Sequence, residues 1–183
     1  LIGDGQCTVP TASDKWDLIS RFLSMSEGRE HKIVHFEFAN EYWQNGFGGA
    51  DGLAELREMT LHMRDNTDIL VAASAPQNAD CASMLAVNAG CISDIATAHY
   101  ARGSLIPEGS WGPVWQPWNH LNCHLPTGSN NEPIGPGSST YTEESPIKLV
   151  SGAIVSYLSS HALHVFHSSA GVRGDQDLWD MSG

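Results

Sequence analysis

Positive charge is scarce in this chain. Only 9 Lys and Arg stand against 21 Asp and Glu, a net charge of −12, and no basic cluster occurs. Nucleic acids and anionic membrane surfaces are held by clustered cations, so neither is an expected partner. Long apolar runs are missing too: the longest, such as Ile69 to Ala73, fall far short of a membrane span. Cysteine is limited to Cys7, Cys81, Cys91 and Cys123, without a CxxC spacing, and no HxH or HExxH occurs. No metal site is therefore expected. No GxGxxG follows a strand and no P-loop is found, so no nucleotide cofactor is expected. Either Cys81 and Cys91 bridge across a short segment or they are unpaired buried thiols, and the compartment stays open.

What is present is a foldable mixture. The 183 residues are 41% hydrophobic and 16% charged, enough for one domain with one good core. Trp16, Ile19, Phe22 and Leu23 recur at helical spacing, which predicts a helix from Ser13 to Met25 with Ser13 or Asp14 as N-cap. Lys32-Ile-Val-His-Phe-Glu-Phe38 reads as a strand. A helix follows from Gly52 to Arg64, then a buried strand from Asp68 to Ala73, broken at Pro76. Asp80 to Asn88 reads as a helix ended by Gly90, and Asp94 to His99 as a strand. An irregular stretch rich in Pro, Gly and Trp runs from Gly103 to Gly128, and Asn130 to Pro133 closes a short strand. Ser145 to Ser160 is a helix with Ile147, Val150, Ile154 and Leu158 on its apolar face. Ala162 to His167 is the last strand, with a short helix near Gln176 to Met181. Strands alternating with helices are the signature of an α/β fold with a parallel sheet.

Two Asn-Glu pairs, Asn40-Glu41 and Asn131-Glu132, sit at or just past strand ends. A carboxylate at the carboxyl end of a barrel strand points into the mouth where such folds do chemistry. Two facing carboxylates are the minimal machinery for cleaving a glycosidic bond, and they lie about 5–5.5 Å apart in retaining enzymes. Trp43 follows Glu41, and Trp111, Trp115 and Trp118 crowd the irregular stretch before Glu132. Indole faces stack on sugar rings, and they also cover cores; at least one of these is expected to touch sugar.

FEFANEYW, TDILVAASAP, DIATAHYARG, NEPIGPGSS and HVFHSSAGVRG resemble successive strand ends of a clan A glycoside hydrolase, a retaining (β/α)8 barrel of the TIM type. The resemblance spans nearly the whole chain. It implies that Glu41, preceded by Asn40, is the acid/base ending strand four, and that Glu132 is the nucleophile ending strand seven. It further implies that Asn40 bonds the sugar 2-hydroxyl, and that His99, Tyr100 and His167 position the sugar or the nucleophile. Asn-Glu-Pro is commonly the strand-four signature of the clan, which offers Glu132 as acid/base instead. Too little chain follows Glu132 for that order.

The resemblance covers only strands three or four to eight. The expectation is one catalytic barrel domain over residues 1–183 that lacks its first strands. The chain starts at Leu1 rather than Met, without a signal-peptide pattern. It is thus expected to be processed or a piece of something longer, or else to be completed by a second chain. The expected partner is an oligosaccharide or polysaccharide, with no cofactor. The rival expectation is a carbohydrate-binding barrel without catalysis. Plainer roles remain open for several residues. Glu41 pairs with Arg57 or Arg64 in one such reading, Glu132 faces solvent before Pro133, and the histidines are packed structural groups. If His35, Glu37 and Ala39 face inward, Glu37 needs a partner, and His35 is the nearest candidate.

Overall fold

A computed structural model describes residues 11–77, 81–97, 99 and 127–128, with positions 150, 154, 157 and 158. Helix α1 (Ala12–Ser26) begins one residue earlier than its periodicity suggests. Thr11 is the N-cap, and Asp14 closes a capping box from the N3 position rather than serving as the cap. Arg29 to Ile33 turn through i→i+3 bonds, Lys32 N–H to Arg29 O and Ile33 N–H to Glu30 O. The expected strand from Lys32 therefore shortens to β1 (His35–Ala39).

Helix α2 (Gly49–Arg64) starts earlier than expected, inside a glycine-rich stretch, and buries Leu56, Met59 and Met63. Strand β2 (Leu70–Ser74) follows, buried from Val71 onward. Helix α3 (Cys81–Val87), β3 (Ala96–Thr97) and β4 (Thr127–Gly128) complete the described elements. Gly90 has the positive φ expected of a helix-ending glycine. Val150, Ile154, Tyr157 and Leu158 are helical, and their stripe faces solvent.

Among the described strands the pairing is parallel throughout. β1 pairs with β2, a bridge from Ala72 to Ile95 links β2 to the head of β3, and β3 pairs with β4. The strands thus lie side by side in chain order. The Asp94 carboxylate accepts from the Val71 amide at 2.9 Å, which fixes the β2–β3 register at its amino end. One face packs under the helices: Phe38, Val71 and Ala73 join Ile19, Leu56, Met59 and Met63 in the core. Burial of each of these side chains except the small Ala73 stabilises by about 1.5–3 kcal/mol.

The opposite face carries Glu37, Ala72, Ser74, Ile95 and Thr97. Thr97 Oγ1 donates to Glu37 Oε1 at 3.1 Å, so β1 and β3 touch across the intervening β2. Flat neighbouring strands are about 4.8 Å apart. Side chains two strands apart meet only where the face is concave and the residue between them is small, as Ala72 is.

His35 opens β1 with Nδ1 buried and unpartnered among the described residues. Burial holds its pKa below the ordinary 6.5. The unfolded chain takes up a proton that the folded chain resists, so stability is full above the ordinary value and falls as pH drops through 6.5 toward the folded value. The melting temperature is expected to fall between about pH 7.5 and about pH 5.5, and to fall less in His35→Gln. Equal losses in the two proteins would contradict the burial.

Both expectations for these cysteines are corrected: Cys81 is disulfide-bonded and so not an unpaired thiol, and Cys91 is free and exposed, so the two neither bridge each other nor are both buried. The partner of Cys81 lies outside the described residues. Alkylation of the folded protein followed by peptide mapping is expected to label Cys91 and spare Cys81. Labelling of both would contradict the bridge.

Candidate functional site

The chain leaves β1 through Asn40 and turns at once. Glu41 does not continue the strand alternation: its φ is +48°, a left-handed conformation that a non-glycine residue rarely adopts. Such backbone costs about 1–3 kcal/mol and persists where surrounding contacts over-determine it. Several do so here. The Tyr42 amide donates to Ser74 Oγ at 3.1 Å, tying the turn to the carboxyl end of β2. The Gln44 amide donates to Glu41 O at 3.0 Å, and the Asn45 side chain reaches both Asn40 O and Glu41 O. The loop then returns to Tyr42 O through the Phe47 amide at 3.1 Å, with Phe47 fully buried.

This turn presents the Glu41 carboxylate to His99, just past the end of β3. Its Oε1 lies 3.0 Å from His99 Nδ1, and its Oε2 accepts from Gln44 Nε2. With Glu41 ionised, Nδ1 carries the proton and donates. The His99 side chain is 7% exposed and that of Glu41 19%, so the pair is sheltered without being sealed. His99 Nε2 is buried with no hydrogen-bond partner among the described residues. Such atoms are usually satisfied by a further side chain, water or ligand.

Glu37–Thr97 and Glu41–His99 are two successive contacts, the first between β1 and β3 and the second between the residues just past their ends. The structure thereby brings together Glu41 and His99, while Asn40 and Trp43 are placed near them only as chain neighbours of Glu41. Trp43 is half-buried and meets Tyr42 edge-on, ring centroids 5.7 Å apart. The Arg partners expected in the plainer reading are engaged elsewhere: Arg57 donates to Ala89 O and Arg64 pairs with Asp65. Glu37 accepts from Thr97, a contact the sequence did not suggest, and His35 Nδ1 makes no hydrogen bond among the described residues. Glu132, Tyr100, Trp111, Trp115, Trp118 and His167 lie outside the described residues.

Sequence reasoning missed Ser74, Gln44 and Thr97. Ser74 carried a usable signal, a lone hydroxyl at the carboxyl end of an apolar parallel strand, where functional groups collect. Among the described residues no set of three or more His, Cys, Asp or Glu is placed to hold a metal, and no helix is long and apolar enough to cross a membrane.

The described part of the chain is a parallel α/β unit whose concave face ends in a carboxylate–imidazole pair. No protein-family model, curated protein or solved structure matches the chain.

Proposed function

We propose that this chain is the catalytic part of a retaining glycoside hydrolase acting on a β-linked glycan, built on the later strands of a (β/α)8 barrel. The observation that carries the reading is Glu41: a carboxylate at the carboxyl end of a parallel strand, held in left-handed backbone and bonded to His99 from another strand's end. Positive φ at such a residue marks a position fixed by something other than local preference. Strands in chain order and contact across β2 are what a barrel interior requires.

In the proposed reaction the ionised Glu132 attacks the anomeric carbon while protonated Glu41 gives its proton to the departing glycosidic oxygen. A glycosyl ester on Glu132 results. Glu41, now ionised, takes a proton from water as the water oxygen attacks the same carbon, releasing the sugar and restoring both groups. His99 and Gln44 hold the Glu41 carboxyl in place through both steps. Asn40 bonds the 2-hydroxyl, Trp43, Trp115 and Trp118 supply stacking surface, and Tyr100 and His167 complete the contacts to sugar.

The test is hydrolysis of a panel of aryl β-glycosides, followed by proton NMR of the first sugar released. Retention predicts the β-anomer first. The α-anomer first would contradict the two-step mechanism. Glycan binding without any cleavage would favour the non-catalytic barrel.

A further inference from the structure

Lys15 is a lysine where none should be buried: it lies in the first turns of α1 and is 6% exposed. Lysine is almost never so buried unless its ammonium is matched on several sides. Here it is. Nζ donates to Glu55 Oε2 on α2 at 2.7 Å and to Gly46 O at 3.0 Å, and it sits 4.0 Å from the centroid of the Phe47 ring. Two of these contacts are to the loop that begins with Glu41. Gly46 and Phe47 form its far end, and the Phe47 amide closes the loop on Tyr42 O.

We infer that Lys15 is a positioning residue for Glu41, clamping the far end of its loop from outside the sheet. The physical route is short. Glu41 keeps its left-handed backbone because the loop cannot relax. The loop is fixed at its near end by Ser74 and at its far end by the ammonium and the buried Phe47 ring. Removing the ammonium frees the Gly46 carbonyl and one face of Phe47, leaving the near end to hold the turn alone. The loop part of this inference stands on geometry, and its catalytic consequence rests on the acid/base role proposed for Glu41.

The experiment compares Lys15→Met, Lys15→Met/Glu55→Gln and Glu41→Gln in the full chain. The double variant keeps an apolar stem in place and leaves no carboxylate without its partner. Amide hydrogen exchange is read at Gln44, Asn45 and Phe47, with Val71 in β2 as the reference. The Lys15 variants are expected to lose protection about tenfold at the loop amides and to keep it at Val71. Hydrolysis of phenyl β-glycosides, which need a proton donor, is expected to fall more than that of dinitrophenyl β-glycosides, which do not. A merely structural lysine lowers both together.

Unchanged loop protection overturns the inference, as does a uniform loss that includes Val71. A loosened loop without the leaving-group difference overturns the catalytic part. Glu41→Gln separates the two failures. If it shows the leaving-group difference and the Lys15 variants do not, Lys15 alone is dismissed. If it shows none, the acid role of Glu41 has failed, and the exchange data still decide the clamp.

Discussion

Glu41→Gln is expected to slow hydrolysis of a natural β-linked glycan by about 10²–10⁴-fold, the usual contribution of general acid catalysis. The change removes a transferable proton and keeps the shape of the side chain. The effect should shrink as the leaving group improves, because a dinitrophenolate departs without protonation. Added azide should then restore turnover, since it attacks the glycosyl ester without needing a base, and the product should be a β-glycosyl azide. Glu132→Ala should behave oppositely. It should impair all aryl glycosides alike, by at least about a thousandfold, because the bond to carbon is lost rather than the proton. Azide rescue there should give the α-product, formed from the vacated face. Near-normal rates for either variant would remove that residue from the mechanism.

Gly52→Ala is expected to destabilise the fold by about 1–3 kcal/mol, the range for forced overpacking. Helix propensity alone predicts the reverse, a gain of about 0.5–1 kcal/mol for alanine inside a helix. Sterics decide the sign. A Cβ on Gly52 would lie 2.3 Å from Phe47 C and 2.4 Å from Phe47 O, and these are backbone atoms that cannot swing aside. Either α2 moves outward or the loop is pushed back toward Glu41. Thermal melting gives the sign, and a higher melting temperature for the variant would contradict the close approach. Activity should fall with stability, since Phe47 belongs to the loop that holds the carboxylate.

Much of the fold is legible in the sequence because it rests on local pattern. The Trp16, Ile19, Phe22 and Leu23 spacing marks α1, and the unbroken run from Ile69 to Ala73 marks a strand buried on both faces. Boundaries were less legible where distant contacts decide them. The helix reads from Gly52 in the sequence, yet α2 already starts at Gly49, and glycine at 52 lets it lie against the Phe47 backbone. Glu41 and His99 are visible as strand-end residues. Their contact is not, because it depends on the curvature that lets β1 reach β3 over Ala72. The left-handed turn at Glu41 is equally hidden, since one of the contacts that hold it comes from Ser74, thirty-odd residues away in the chain.

The central claim is that Glu41 and Glu132 act across one sugar, one giving a proton and the other forming a bond. Trapping tests it most directly. The protein is incubated with 2-deoxy-2-fluoro β-glycosyl fluorides, which form the ester and release it slowly, and is then digested and mapped by mass spectrometry. The account predicts a single glycosyl adduct on Glu132, with Glu41 unlabelled and the rate of labelling unaffected by Glu41→Gln. An adduct on Glu41, or on a carboxylate distant from both, would contradict it.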